Sequence, residues 1–386
     1  MTKDESKKFA GLKALLAVLL AGSLAVFAGV AQAEWKLNLQ EPVTDLARRI
    51  YDLHTFLTIF ITIIFVGVFS VLGYSLVMHT RKRGHKAADF HDNTTVEIIW
   101  TLIPTVILIA IAFPATIALV NQRDTSKPDL TIKATGYQWK WGYEYMSGDA
   151  TGIKFMSVLS TPRAQIENKE PKGDHYLLEV DNRLVVPVNK KVRILTTAAD
   201  VIHNWSVPAF AVKTDAVPGF VRDGWFKAEK EGIYRGQCSE LCGKDHGFMP
   251  VVVEVVSEAK YAEWVVAKQT EMLAAADDPN KVFTLDELVK RGEKVYATNC
   301  AGCHQPTGKG LPPAFPALDG SALVKGSKEG HIAIVLNGKS GTAMAAFGAQ
   351  LNDADIASVV AYERNAWSNK LNDVIQPAEV KALRTK

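Results

Sequence analysis

The sequence predicts a multidomain chain: a two-helix transmembrane hairpin, an all-β domain, and then an all-α domain. Two apolar blocks, at about 56–79 and 97–120, predict the hairpin, because about 20 apolar residues span a bilayer. Short β-rich stretches separated by turn residues follow, and helical periodicity takes over after residue 257. The predicted boundaries are 34–123 for the hairpin, 124–257 for the β domain, 258–283 for a helix and linker, and 284–386 for the α domain.

Composition excludes some classes of function. The 386 residues carry a formal net charge of only +3, and no basic run is interleaved with aromatic residues, so no nucleic-acid partner is expected. The four cysteines form two close pairs, Cys238/Cys242 and Cys300/Cys303. Two close pairs favour two metal or cofactor sites over a disulfide framework.

The N-terminus has the pattern of an export signal over residues 1–33. A lysine-rich start and a short apolar core lead to Ala31-Gln32-Ala33, which predicts cleavage before Glu34. A retained membrane helix is the alternative. Export implies that the later domains lie outside the cytoplasm.

The connector between the two apolar blocks sets the topology. It is rich in basic residues from Arg81 to Lys86, so the positive-inside bias places it in the cytoplasm and the rest in the periplasm. We expect a multi-pass protein of a bacterial inner membrane, in contact with the lipid bilayer. The alternative, buried helices of a soluble domain, fits neither the length nor the connector. Glu97 begins the second block, either as a helix-start residue favoured by the helix dipole or as part of a proton path.

The β domain is predicted from recurring short stretches separated by turn signals, which is typical of a sandwich or barrel. The predicted strands are Leu130–Gly136, Tyr176–Val180, Lys191–Thr197, Gly232–Gln237 and Val251–Val256.

Metal-ligating side chains concentrate in one loop before the last of these strands. Cys238, Cys242, His246 and Met249 lie within twelve residues, and His203 lies upstream. Thiolate, imidazole and thioether ligands together favour copper, whereas methionine is not a usual zinc ligand. Two cysteines instead of one suggest two coppers with bridging sulfurs. The alternatives are a periplasmic disulfide or a copper-transfer pair, with Met249 a core residue and His203 a buried, hydrogen-bonded one.

The α domain begins with a haem-attachment signal. Ser257 to Ala276 is predicted to be helical, residues 277–281 a linker, and Thr284–Glu287 a capping box. The next helix leads into Cys300-Ala301-Gly302-Cys303-His304, the C-x-x-C-H pattern of a c-type haem with His304 as axial ligand. A thioredoxin-like pair is the alternative, but no βαβ pattern surrounds it.

The second axial ligand should lie downstream. Met344 is the preferred candidate and His331 its competitor, since Met/His ligation is typical of cytochromes c. The last helix is predicted over Asp353–Trp367, with Asn352 as its cap.

The residues from Cys238 to Met249 resemble the dinuclear CuA motif of cytochrome c oxidase subunit II, and the α domain resembles a small class I cytochrome c. Further family-like stretches lie outside that loop. They are Glu97–Pro104, Gly136–Tyr145, Val180–Arg183 and Lys213–Gly219. The resemblance implies a cupredoxin-like Greek-key barrel. It also implies CuA ligands, namely the side chains of His203, Cys238, Cys242, His246 and Met249 and the backbone carbonyl of Glu240.

The resemblance implies further roles at three positions. The Glu240 carboxylate would help to bind a magnesium ion shared with subunit I, and Trp139 would receive electrons from the cytochrome. Glu97 would belong to a proton-uptake path. One position departs from the family pattern: Lys140 stands where many members carry a second aromatic beside the tryptophan.

The implied function is electron delivery within a haem–copper cytochrome c oxidase. Electrons would pass from a soluble or membrane cytochrome c donor to haem c, then to CuA, then to subunit I, where O2 is reduced to water with proton pumping. The other implied partner is subunit III. Two alternatives remain: a copper-handling assembly protein, and a membrane-tethered CuA/haem c carrier serving another reductase, such as one for nitrous oxide. Quinol is not the expected donor, because quinol oxidases lack these copper ligands.

Overall fold

The structure, a computed structural model, describes residues 38–86, 91–275 and 281–384. The predicted signal over residues 1–33 lies outside the described residues. Two long helices come first, α1 over Asp45–Met78 and α2 over Thr94–Gln122, and both are long and apolar enough to cross a membrane.

Helix α1 starts well before the apolar block that predicted it, so the expected start near residue 56 is wrong. The Thr44 side chain accepts a hydrogen bond from the Ala47 amide and caps the helix. Leu46 and Ala47 are buried, and Thr44 Oγ1 donates to the carbonyl oxygen of Phe210. A polar helical segment therefore joins the apolar block to the β domain, which hydropathy alone does not indicate.

Two five-stranded sheets form the β domain, with strand orders β3-β2-β1-β5-β8 and β4-β10-β9-β6-β7. The strands are β1 Leu130–Tyr137, β2 Lys140–Tyr145, β3 Lys154–Ser157, β4 Leu184–Pro187, β5 Val192–Ala198, β6 His203–Val207, β7 Val212–Ala216, β8 Arg222–Phe226, β9 Gly232–Cys238 and β10 Pro250–Val256. Pairing is mostly antiparallel, but β1–β5 and β4–β10 are parallel. Two sheets of this kind confirm the predicted all-β, cupredoxin-like domain, which was expected as a Greek-key barrel.

The core of this domain lies between the sheets. Along β1 and β5 every second residue is buried, as expected for strands with one face on a core. Large aromatic side chains fill the middle, and Trp141, Trp205 and Phe226 are fully buried. The two ligand-bearing ends of β6 and β9 are thus held by a rigid support.

The predicted strand over Tyr176–Val180 is wrong. Leu177 has a φ of 61°, which strand geometry does not allow, and the Leu178 amide bonds the carbonyl of His175 in a turn. Only Val180 makes an isolated bridge, to Leu159.

Helix α3, Glu258–Ala275, follows the β domain and packs on it. The Trp264 ring lies 5.2 Å from that of Tyr145 and 6.3 Å from that of Phe155, centroid to centroid. The predicted linker falls largely on residues 276–280, outside the described residues.

The C-terminal part is helical. Its helices are α4 Leu285–Asn299, α5 Lys328–Asn337, α6 Asp353–Asn365 and α7 Pro377–Arg384, with short helical turns at Ala301–His304 and Ala322–Lys325. The predicted capping box is present, since Thr284 and Glu287 exchange side-chain and backbone hydrogen bonds.

Helices α4 and α6 cross in direct backbone contact. A methyl group on Gly292 would lie 2.0 Å from the carbonyl oxygen of Ser358, so only glycine permits this approach. Asn352 caps α6 as predicted, but the helix ends at Asn365 because the chain turns, with Trp367 at a φ of 53°. The crossing holds α4 so that its C-terminus presents the C-x-x-C-H motif.

Candidate metal centre and haem-binding motif

Sulfur and nitrogen atoms from the predicted loop converge on one point. Sγ of Cys242 lies 3.8 Å from Sγ of Cys238, 3.4 Å from Nδ1 of His246 and 3.5 Å from Sδ of Met249. Both cysteines and Met249 are buried. These separations suit side chains that share metal ions placed between them rather than ligands of unrelated sites.

His203 reaches this group through strand pairing. Trp205 of β6 pairs with Cys238 of β9, which brings the start of β6 beside the loop, and Nδ1 of His203 lies 3.9 Å from Sγ of Cys238. His203, Cys238 and Cys242 form a buried cluster able to hold a metal ion. The pairing register thus joins ligands that are 35 residues apart.

Asp200 is a functional residue that the sequence prediction missed. Its Oδ1 lies 2.8 Å from Nε2 of His203, so the carboxylate holds the ring with Nδ1 facing the sulfurs. Carboxylates behind histidine ligands are a common outer support of metal sites. A carboxylate three residues before a candidate ligand was the available signal.

The electrostatics of the cluster fit cation binding. Hydrogen bonding to Cys242, and then to His203, lowers the pKa of Cys238 by stabilising its thiolate. Contact with Cys238 raises the pKa of Cys242, because a second thiolate 3.8 Å away would be repelled by the first. Burial would lower the pKa of His203, but Asp200 and Cys238 raise it overall. The second thiol is therefore harder to ionise than the first, and a cation between the two sulfurs would favour its ionisation.

The alternatives to a metal centre fit poorly. A sulfur–sulfur distance of 3.8 Å far exceeds the roughly 2.05 Å of a disulfide, and both cysteines are free. With 4% and 3% exposure, Cys238 and Cys242 are too enclosed for a pair that hands copper to another protein.

The backbone and the side chain of Glu240 have different surroundings. Its backbone carbonyl lies 3.4 Å from Sγ of Cys238, whereas its side chain is exposed. In the part of the chain that the structure describes, no metal-type cluster of three side chains includes Glu240. Any ion at this carboxylate would need ligands from elsewhere.

Trp139 lies between the cysteine loop and the haem motif. Its Nε1 donates a hydrogen bond of 3.1 Å to the Cys242 carbonyl, and the Gln138 side-chain amide donates one of 2.7 Å to the same oxygen. On the other side, a methyl group on Gly302 would lie 3.9 Å from Cε3 of Trp139. Lys244 donates to the Gly302 carbonyl at 3.0 Å.

The C-x-x-C-H residues have the arrangement that haem attachment needs. Nδ1 of buried His304 donates to the Pro316 carbonyl at 2.9 Å, which leaves Nε2 available for iron. Burial raises the pKa of Cys300 and of Cys303. A thioredoxin-like pair needs a lowered thiol pKa, so that alternative is disfavoured.

The two candidates for the second axial ligand differ in their surroundings. His331 is buried with its Nε2 2.8 Å from Oε2 of Glu363, so this ring nitrogen already has a partner. Met344 lies half-buried in the segment after α5, where its backbone bonds Thr342 and Lys339. Met344 stays the predicted ligand.

Glu97 lies in the first turn of α2. Asn93 caps the helix, and Oε1 of Glu97 lies 3.5 Å from the Asn93 amide, a capping arrangement. Its side chain is exposed. This local role leaves the proton-path prediction open.

Comparison with known families matches three stretches. Residues 130–256 match the family described as cytochrome c oxidase subunit II, periplasmic domain, and residues 32–117 match its transmembrane domain. Residues 287–362 match the family described as cytochrome c oxidase, cbb3-type, subunit III. With the His203–Cys238–Cys242 cluster, these matches indicate CuA-type copper and haem c.

Curated relatives of this chain carry the same family name. The probable cytochrome c oxidase subunit 2 of Rickettsia conorii is 42% identical over 234 residues, covering 61% of this chain and 72% of the relative. The cytochrome c oxidase subunit 2 of Cereibacter sphaeroides is 41% identical over 240 residues, covering 59% and 78%.

Among solved structures, the periplasmic domain of subunit II of cytochrome oxidase (CoxB) of Bradyrhizobium japonicum is 49% identical. It covers 38% of this chain and 96% of its own, with a TM-score of 0.33. Subunit II of an oxidase complex works with other oxidase subunits, and a membrane-anchored chain with a periplasmic domain fits that arrangement. The chain belongs to the cytochrome c oxidase subunit II family and carries a C-terminal cytochrome c domain.

Proposed function

We propose that this chain receives electrons for a haem–copper cytochrome c oxidase in a bacterial inner membrane. Haem c would pass them to dinuclear CuA and on to subunit I, where O2 is reduced to water with proton pumping. The observation that carries the proposal is the convergence of two histidines and a methionine on the Cys238–Cys242 pair.

The ligand set supports electron transfer rather than substrate conversion. Bound copper and haem supply one-electron redox chemistry. The side chains of His203, Cys238, Cys242, His246 and Met249 and the Glu240 carbonyl would hold the two coppers. Their positions on paired strands resist rearrangement, and the set leaves no open position of the kind that catalytic metals keep.

The contacts of Trp139 support a short route between the two centres. Haem c would be attached through Cys300 and Cys303, with His304 and Met344 on the iron. The Trp139 ring faces Gly302, between those cysteines, with room for only a methyl group between them, and its Nε1 hydrogen-bonds the carbonyl of Cys242. We therefore assign Trp139 as the residue through which electrons reach copper.

Two carboxylates support contact with subunit I. The exposed Glu240 side chain would bind a magnesium ion together with groups from that subunit, since no ligand cluster includes it within the described residues. Exposed Glu97 at the start of α2 would serve a proton-uptake path of the complex. Subunit III and a cytochrome c donor complete the proposed partners.

A second candidate is a membrane-tethered CuA/haem c carrier serving another reductase. The same two centres would serve it equally well, so purification decides between them. In the oxidase, the chain should co-purify from detergent with a multi-span haem protein; isolation without one would favour the free carrier.

Spectroscopy of the purified protein tests the relay itself. We expect an EPR signal from one unpaired electron shared by two coppers, together with low-spin haem c. Met249→Leu should change the copper signal, whereas Met272→Leu on helix α3 should not. A mononuclear copper signal, or zinc in place of copper, would overturn the proposal.

A further inference from the structure

Lys140 departs from the family pattern and makes an unusual contact. It is the first residue of β2, and it is only 4% exposed. Its Nζ hydrogen-bonds Oδ1 of Asn299, in the last turn of α4. The same ammonium lies 5.9 Å from the ring centroid of Tyr137 and 5.8 Å from that of Phe347, both within cation–π range.

These contacts reach both sides of the haem-binding region. Asn299 directly precedes Cys300, and Phe347 is three residues after Met344. The Asn299 amide is itself fixed, because its Nδ2 donates to the Val295 carbonyl at 2.8 Å, leaving Oδ1 turned to Lys140. One side chain of the β domain thus touches the segments that carry both predicted iron ligands.

We infer that Lys140 is a positioning residue that holds the haem-carrying domain against Trp139. It stands at the position of the second aromatic residue of the family pattern and bonds Asn299 in the fused domain. The inference rests on the proposed relay and names the group that fixes its geometry. Lys244, whose side chain is 37% exposed, bonds the Gly302 carbonyl and makes a second, weaker contact.

The buried charge of Lys140 makes it possible to distinguish a role in positioning the domain from a role in stabilising the fold. Burial lowers the pKa of Lys140 to about 8, so the ammonium is mostly protonated at neutral pH and its burial opposes folding. Lys140→Met removes the cost of burying that charge but leaves Oδ1 of Asn299 without its donor, so the two effects oppose each other in the melting temperature. We therefore expect only a small change in melting temperature, while the directional hydrogen bond is lost.

The test uses the intact, metal- and haem-loaded oxidase complex. Pulsed EPR between oxidised CuA and haem c measures the distribution of their separation, and photoreduction of haem c measures the rate at which copper is reduced. Three variants suffice: Lys140→Met, Lys140→Arg, which keeps charge and donors, and the control Lys154→Met, whose side chain is 61% exposed on β3. If Lys140→Met fails to mature, Asn299→Leu removes the same bond from the other side.

We expect a narrow separation in the wild type, Lys140→Arg and Lys154→Met, and a broad one in Lys140→Met. Copper reduction should be about tenfold slower in Lys140→Met, since losing a charged hydrogen bond shifts a two-state equilibrium by about that factor. An unchanged, narrow distribution in Lys140→Met would overturn the inference, as would a drop in melting temperature that accounts for the slower rate. A broad distribution in Lys140→Met with no copper reduction even in the wild type would uphold positioning and refute the relay.

Discussion

The indole Nε1 of Trp139 donates a hydrogen bond to the carbonyl oxygen of Cys242 over 3.1 Å. The Gln138 side chain donates to the same oxygen, so the β1–β2 turn is bonded directly to the backbone of a predicted copper ligand. A change in this turn should therefore affect both the copper site and the haem contact.

Trp139→Phe keeps an aromatic ring but removes that hydrogen bond. We expect haem c to reduce copper more slowly, with only a small change in the copper spectrum, because the ligand side chains stay in place. Time-resolved absorbance after photoreduction measures the rate. Trp225→Phe, which removes a similar bond to the Asn121 carbonyl, is the matched control. An equal effect of both variants would contradict a specific role for Trp139.

Asp200→Asn should weaken copper binding about 10- to 100-fold, the usual effect of removing a carboxylate behind a histidine ligand. The amide keeps the size of the side chain but not the charge that orients Nε2 of His203. Competition with a copper chelator measures the affinity. Asp223→Asn, on the edge strand β8 and paired with Arg193, should bind copper as the wild type does.

The ion pairs of Glu179 predict that the protein loses stability in acid. Burial would raise its pKa, but Arg183 and Arg235 lower it to about 2, from 4.5. Because the pKa is lowered on folding, the stabilisation is complete above about pH 4.5 and is lost as the pH falls to about 2. It amounts to at most about 3 kcal/mol.

Denaturant unfolding of Glu179→Gln and the wild type between pH 2.5 and 6 tests this prediction. The difference in unfolding free energy should be largest at pH 6 and shrink towards pH 2.5. Exposed Glu167→Gln is the control and should show a small difference throughout. A difference in unfolding free energy between Glu179→Gln and the wild type that does not depend on pH would contradict the explanation.

The buried pair of His331 and Glu363 should show strong non-additivity. Glu363→Leu leaves a buried imidazole nitrogen without its partner and should cost about 1–3 kcal/mol. The double variant His331→Leu/Glu363→Leu removes both polar groups and should recover much of that loss. Thermal unfolding followed at the haem band measures both. Simple addition of the two single effects would show that the pair is not coupled.

The proximity of Cys238, Cys242, His246 and Met249 could be predicted from the sequence, because these residues are close along the chain and their chemistry is distinctive. His203 was found by its residue type, but its contact with the loop depends on the pairing of β6 with β9, which is not local. Asp200 was missed because its position three residues before His203 becomes informative only when that pairing places His203 beside the cysteines.

Several strands could not be predicted from the sequence. The apolar run at Tyr176–Val180 reads as a strand, yet Leu177 takes a left-handed conformation that tertiary packing imposes. Strands such as β7 and β8 were missed because polar and glycine residues interrupt their alternation. The contact of Lys140 with Asn299 could not be predicted either, since the two residues are 159 positions apart and belong to different domains.

The length of helix α1 bears on how far the predicted copper site lies from the lipid. Its 34 residues span about 51 Å, whereas the hydrocarbon core of a bilayer is about 30 Å thick. The helix is therefore long enough to extend beyond the bilayer. Arg48 ties that outer end to Glu229 at 2.7 Å. Inserting one residue into this extension would rotate the β domain by about 100° around the helix axis and so change the direction in which the predicted copper loop faces.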